Sequence, residues 1–307
     1  MSSTPIQYLR RAEIDVDRWD TCIAHADNSL IYAHAFSLDQ MAEHWDALVW
    51  GDYEIVMPLP WKQKWGIRYV YTPLFFQRLG IFGKNVDGTH AQAFYQLAAR
   101  HFSFIDLMAD QATTGNSWKI KPRKNFIIPL ASPYHTIRER YTDECVKNIR
   151  KAESRYCLLT ENVSIEQVMS LYRRAYGSYS GHIRNEGYAR LRQWAEAAAA
   201  KGMLKSWGVV HARDNELLFG ALLFQCHRRL YYLLGAPTAA GRQARATYYF
   251  IDQVLQRHAG QPLLFDFEGS DIPDVAAFYR RFGPQEEAYY HLLYNGLPWW
   301  IKWLKQA

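Results

Sequence analysis

Apolar and polar positions along the chain change their period several times, and the changes mark out its elements. IQYL near the N-terminus alternates as a short strand, while residues 17 to 44 read as helices and turns with Trp19, Ile23, Phe36 and Met41 as packing positions. From residue 47 to 75, ALVWGDYEIVMPLPWKQKWGIRYVYTPLF reads as strands broken by Gly-Asp and by a Lys-rich turn, an antiparallel meander. THAQAFYQLAARHF is then a helix capped by Thr89, and SFIDLMAD a strand. The second half repeats this order. Residues 203 to 237 form strands with turns at 213–215 and 227–229, and ATYYFIDQVLQRHAG lines Tyr249, Phe250, Val254 and the stem of Arg257 along one helical stripe, stopped by Gly260. LLFDFEGS takes the place that FIDLMAD holds in the first half. Meander, helix, strand therefore occurs twice, which predicts two copies of one mixed α/β unit. Between them lie a crossing strand, WKIKPRKNFIIPL, a basic helix, YHTIRERYTDECVKNIRKAESR, a helix SIEQVMSLYRRAYG, and YARLRQWAEAAAAKG, whose Ala run favours helix. The boundary falls near Ser132, giving domains 1–132 and 133–307.

Composition supports that division. At 307 residues the chain exceeds one ordinary core and suits two domains of about 150 residues. With 49% apolar and 21% charged residues it is a folded protein and not a disordered one. Its 11 Trp and 21 Tyr suit clefts and interfaces as well as cores. A net charge of +6 favours an anionic partner, without choosing between a phosphorylated cofactor, a nucleic acid and an acidic membrane. Cys22, Cys145, Cys157 and Cys226 form no C-x-x-C pair, which fits reduced thiols in the cytoplasm and predicts no metal site. The N-terminus has no apolar stretch of signal-peptide length, and the longest greasy run, LLFGALLF, is too short to span a bilayer. P-loop, dinucleotide-binding and zinc-protease motifs are absent, and GSYSG has Tyr where a nucleophile elbow has Ser.

The junction YYLLGAPTAAGRQARATYYF carries the first candidate chemistry. A strand enters a small-residue loop, Gly235 to Gly241, and then a helix whose first turn holds Arg242 and Arg245, where cations oppose the helix dipole. Backbone N–H groups at a helix start, small side chains and two guanidinium forks suit a pyrophosphate or sugar phosphate; the alternative is two solvated arginines.

From GRQARA through FDFEGS to AAFYRRFG, the chain resembles the C-terminal half of the GNAT acyl-CoA N-acyltransferase fold, and among such proteins the tandem forms related to Fem-type peptidyltransferases. The resemblance covers the whole chain as an architecture and is specific from about residue 204 to 296. It implies two GNAT-like domains, each a mostly antiparallel mixed sheet flanked by helices, with the donor site in the second. Gly241, Ala244 and Ala246 hold the positions of the pyrophosphate-binding pattern, so Gly241, Arg242, Gln243, Ala244, Arg245 and Ala246 are the expected contacts for acetyl-CoA or another acyl-CoA. In FYRRFG, Tyr279 matches the tyrosine that protonates the departing thiolate in many of these enzymes; otherwise it is a packed ring with a satisfied hydroxyl.

Asp266 and Glu268 raise a separate question, because a carboxylate within a strand of Leu and Phe loses hydration unless it is paired or used. In an extended strand both point to one face, where either is able to take a proton from an acceptor amine. Pairing with an arginine is the other reading for Asp266, and Glu268 is the better base. The loop YGSYSGHIRNEG offers Tyr179, His182 and Arg184 as acceptor contacts or as plain surface. The implied reaction is acyl transfer from acyl-CoA to an amine by direct attack, without a metal. Two alternatives stand beside it: aminoacyl transfer from charged tRNA to a cell-wall precursor, and a non-catalytic binding protein. The Trp-rich tail LPWWIKWLKQA suits a membrane surface, its own domain, or the second subunit of a homodimer.

Overall fold

A computed structural model describes residues 5–115, 117–177, 183–269 and 271–299. The chain begins with β1 (Ile6–Arg10), α1 (Val16–His25), α2 (Ala35–Met41), β2 (His44–Trp50), β3 (Ile55–Lys64), β4 (Ile67–Tyr71) and β5 (Phe82–Gly83). It continues through α3 (Gly88–His101), β6 (Phe104–Ala109), β7 (Trp118–Pro129), α4 (Tyr134–Arg138), α5 (Asp143–Ser154), β8 (Cys157–Thr160), α6 (Ile165–Tyr176) and α7 (Asn185–Ala200). The last elements are β9 (Leu204–His211), β10 (Leu217–Cys226), β11 (Arg229–Pro237), α8 (Ala239–Ala244), α9 (Ala246–His258), β12 (Leu264–Asp266), α10 (Pro273–Arg280) and β13 (Gln285–Asn295). The fold is mixed α/β, as the alternating periods predict.

Two compact units result, one of residues 1–123 with 288–307, the other of residues 124–287. The expected division at 132/133 differs from this in two ways, both caused by strand pairing. Residues 127–129 of β7 pair antiparallel with β12, which draws the second half of that crossing strand into unit 2. Residues 290–295 of β13 pair antiparallel with β6, which returns the end of the chain to unit 1.

In unit 1 the strand order is β1-β2-β3-β4-β6-β13, with β5 on β3. Only β4 and β6 run parallel, through Val70↔Ile105 and Tyr71↔Asp106. Beyond that pair the chain itself fills the place beside β6: Thr72 Oγ1 accepts from Met108 N at 2.8 Å, and Leu79 bridges Ala109 in parallel. No helix follows β4 directly. The core gathers Trp19, Ile23, Tyr32, Phe82, Phe94 and Tyr95, each fully buried; a buried ring contributes about 1.5–3 kcal/mol. Helix α3 starts one residue before the expected cap, because the Asp87 carboxylate accepts from Thr89 N at 3.0 Å and His90 N at 2.9 Å. An anionic cap at a positive dipole end outcompetes the Thr89 hydroxyl.

In unit 2 the order is β7-β12-β11-β10-β9-β8. Side chains of β10 alternate between two helical layers: Phe219 meets Phe250 of α9 at 4.7 Å between ring centroids, and Phe224 stacks on Trp194 of α7 at 4.4 Å. The predicted basic helix is two helices, α4 and α5, the second capped by Thr142 and burying Cys145, Ile149 and Ala152. No helix among the described residues is long and apolar enough to cross a membrane.

Candidate functional site

The central feature of unit 2 is a gap that opens in its sheet. Strands β11 and β12 pair in parallel for three residues, Arg229↔Leu264, Leu230↔Phe265 and Tyr231↔Asp266. There they part: Phe267 N turns to Phe126 O at 3.0 Å, while β11 runs on to Pro237 beside β10. Within this second stretch the β10–β11 register slips between Leu222 and Leu223, leaving Leu233 as an unpaired extra residue opposite the slip.

Phenols line the opening. Tyr232 of β11 is buried, and a Cβ at Gly235 would lie 2.0 Å from its hydroxyl, so glycine is what lets that ring lie back along its own strand. Tyr279 of α10 is half-buried, packed at 4.6 Å on Phe267 and edge-on to Phe126 at 6.2 Å. Tyr176 of α6 completes the group, and among the described residues the hydroxyls of Tyr176, Tyr232 and Tyr279 have no hydrogen-bond partner. Burial, and then neighbouring Tyr176 and Glu268, push the Tyr279 phenol well above its ordinary value. Burial raises Tyr232 as well, with the phenols of Tyr279, Tyr176 and Tyr172 adding to it. Burial also raises Tyr176, while the Arg242 guanidinium pulls it back down.

The junction after β11 is a pair of helices and not a loop. Thr238 caps α8, accepting from Gly241 N at 3.0 Å through Oγ1 and from Arg242 N at 3.0 Å through its carbonyl. Gly241 therefore offers no amide to a ligand, and this corrects its expected role. It is glycine for another reason: a Cβ there would meet Leu218 O at 1.8 Å, so its absence lets α8 lie against β10. Ala244 is also buried. Arg242 and Gln243 are exposed in the last turn of α8. Arg245 is exposed, sits in the left-handed region at φ 63°, and separates α8 from α9. Ala246 and Thr247 then open α9, where the first N–H groups of a helix lack intrahelical acceptors. Neither Arg242 nor Arg245 has an ion-pair partner among the described residues.

Asp266 is fully buried and fully occupied. Its carboxylate accepts from Arg229 Nη1 at 2.5 Å, Asn125 Nδ2 at 2.9 Å and Glu268 N at 2.8 Å. Arg229 also forks onto Glu287 at 2.9 and 3.0 Å. The geometry assigns Asp266 to holding β12, β11 and β7 together, and removes it from the proton-transfer candidates. Nor do Asp266 and Glu268 share a strand face. The strand ends at Asp266, and Glu268 turns into the left-handed region at φ 66°, followed by Gly269 at φ 59°. Glu268 is half-buried and near enough to Tyr279 to raise its pKa. Arg184 is exposed at the cap of α7, and Tyr179 and His182 lie outside the described residues.

Cysteine chemistry is disfavoured. Burial pushes the Cys145 thiol up to about 12 and those of Cys22 and Cys157 to about 11, leaving almost no thiolate at neutral pH.

The fold as a whole is similar to several solved structures. FemX is 13% identical, with 92% of this chain and 96% of FemX covered at a TM-score of 0.66. The C-terminal DUF2156 domain of a putative lysylphosphatidylglycerol synthetase from Agrobacterium fabrum is 10% identical, with 94% of each chain covered at 0.55. A tandem GNAT protein from the clavulanic acid biosynthesis pathway is 10% identical, with 96% and 99% covered at 0.52. No family model matches the sequence, and no curated protein matches it.

The fold is that of the tandem GNAT and Fem proteins. Within a GNAT-type sheet, the residues that sequence reasoning passed over are Tyr232, Tyr176, Arg229 and Glu287. Tyr232 and Tyr176 read as core positions of a strand and a helix, and only the parting of the strands exposes their hydroxyls to common space. Arg229 carried a signal, since an arginine opening an apolar strand needs a partner where it is buried, and Asp266 is that partner. The two copies of the GNAT-type unit are unequal: unit 1 closes the same place beside its β6 with residues 72 to 79.

Proposed function

We propose that the protein is an acyltransferase that uses the gap between β11 and β12 of unit 2 to hold an acyl thioester, acyl-CoA, for attack by an amine. The observation that carries this reading is the parting of the two strands after Tyr231 and Asp266, beside three hydroxyls with no partner among the described residues and two exposed arginines. Arg242 and Arg245 are placed to meet the diphosphate, with the N–H groups of Ala246 and Thr247 behind them. The backbone of β11 near the slip at Leu233 polarises the thioester carbonyl. The acceptor amine attacks that carbon, the new C–N bond forms as the C–S bond breaks, Glu268 takes the amine proton, and Tyr279 hydrogen-bonds and protonates the leaving sulfur. Two residues named here, Arg245 and Glu268, hold left-handed backbone at φ 63° and 66°, strain of a kind that clusters at functional sites. The clavulanic acid tandem GNAT protein, whose description refers to AcCoA, favours the same donor.

The second reading keeps the site and changes the carrier to an aminoacyl-tRNA, as the resemblance to Fem-type proteins suggests. A thermal-shift series with CoA, acetyl-CoA, a long-chain acyl-CoA and tRNA separates the two. A rise in the unfolding midpoint with a CoA species and not with RNA supports the first reading. Strong salt-dependent affinity for tRNA, with no shift from any CoA species, overturns it.

A further inference from the structure

The hairpin between β3 and β4 carries a residue that its turn chemistry does not want. Lys64 pairs with Ile67, so Trp65 and Gly66 form a two-residue loop, with φ of 52° and 79°, the mirror-image turn that suits twisted antiparallel strands. Such a turn prefers Asn or Asp at its first position, because a bulky side chain in the left-handed region is strained. Trp65 stands there with 73% of its surface exposed. It stacks on no other ring among the described residues, and its one neighbour of note is the Lys64 ammonium, 4.5 Å from the ring centroid. Neither the turn nor the core explains this side chain.

Its surroundings within unit 1 are apolar and cationic together. Ile67 and Tyr69 of β4 pack on a small cluster of Phe104, Leu293 and Leu297. Two residues beyond Leu297 stands Trp299, 82% exposed. Lys62 is weakly offset by Glu43 at 3.8 Å and Arg68 by Asp46 at 3.9 Å, whereas Lys64 has no ion-pair partner among the described residues.

We propose that this hairpin face docks on an anionic phospholipid surface, with Trp65 seated at the headgroup level and Lys64 and Lys62 facing the lipid charge. An indole suits that depth because its ring is apolar and its N–H remains hydrated, and lysine stems lie along apolar surface while their ammonium groups reach phosphate. The net charge of +6 provides attraction at longer range. Lipid fits better than RNA because half-buried Ile67 adds aliphatic surface beside the indole that bases do not need, and the cation beside the indole is a lysine and not a planar arginine fork. This proposal is independent of the acyl-transfer reading and of its donor.

The test is co-sedimentation of the full chain with vesicles of phosphatidylglycerol and phosphatidylcholine in equal parts, against vesicles of phosphatidylcholine alone. Binding to the first and not to the second is expected, weakening with salt. Lys64→Ala should lower partition about five-fold, the worth of one basic residue near an anionic surface. Trp65→Asn is the decisive variant, because Asn is the residue this turn prefers: it should keep or raise the unfolding midpoint while vesicle binding drops by at least as much. The proposal is overturned if wild type ignores anionic vesicles or if Trp65→Asn binds them undiminished. It is equally overturned if Trp65→Asn weakens tRNA binding or self-association in gel filtration and leaves vesicle binding unchanged.

Discussion

Replacing Tyr279 by Phe removes one oxygen from a ring that Phe267 and Phe126 hold in place, so the fold should survive and the chemistry should not. The expected result is a fall in kcat of about 100-fold or more with little change in KM, measured with whichever donor the thermal series selects. Because burial raises this phenol, it stays protonated through neutral and mildly alkaline solution. The wild-type pH profile should therefore show no alkaline loss owed to Tyr279 below about pH 10. A limb near pH 8 that vanishes in the Phe variant contradicts the assigned role. Asp252 gives a second test at this scale, away from the site. It is buried, and desolvation raises its pKa although Tyr134 donates to it at 2.6 Å. A raised carboxyl favours the folded state below its unfolded pKa, and that contribution is lost as pH climbs through the folded value. Asp252→Asn should therefore unfold at a higher temperature than wild type at pH 7, with the gap closing near about pH 4. Asp266 marks where single-residue reading stops. A carboxylate in a greasy strand announces a partner, but Arg229 lies far upstream in sequence, and nothing local shows that Asn125 and the Glu268 amide complete its shell.

At the level of elements, the segment from Gly235 to Ala246 was legible as a place of small residues and misread in its geometry. Small residues admit either a ligand or another element, and a sequence does not say which. Here Gly241 admits β10, and under the acyl-CoA reading the donor would meet Arg245 and the start of α9 instead. Gly241→Ala should force α8 away from Leu218, since the obstructing atom is a backbone oxygen that is unable to swing aside. A loss of about 1–3 kcal/mol in chemical denaturation is expected, together with weaker donor binding. Arg245→Gly should act in the opposite sense on stability. It relieves a left-handed residue and so raises the midpoint or leaves it level, yet it removes a guanidinium and should weaken CoA binding several-fold by calorimetry. A variant that gains both stability and affinity contradicts the assignment of Arg245. Long periodic elements such as α7 and α9 were readable as helices, because their patterns repeat over several turns, although α7 begins at Asn185, three residues inside the expected loop. The strand in LLFDFEGS was read as well, but not its end: β12 stops at Asp266, so Glu268 leaves the strand, because the end of so short a strand is set by its neighbours.

For the molecule as a whole, the doubled order of meander, helix and strand was visible in the sequence, and so was the inequality of the copies at the Arg-bearing junction. What no local pattern carried was the exchange of ends. Residues 290–295 complete the pairing of β6 on the side away from β4, so unit 1 is not contiguous in sequence. A fragment of residues 1–132 should therefore fail to give a cooperative unfolding transition, having an open strand edge and lacking Leu292, Leu293 and Leu297 from its packing. A chain of residues 1–123 joined by a flexible linker to 288–307 should recover one, by circular dichroism. The same exchange sets an order of assembly during translation. Residues 1–123 leave the ribosome first but wait for their last strand until residues 290–295 have been made, roughly ten to thirty seconds at ordinary elongation rates. In a nascent chain the later-made unit is thus the first able to close, and the earlier one keeps an open strand edge until β13 emerges.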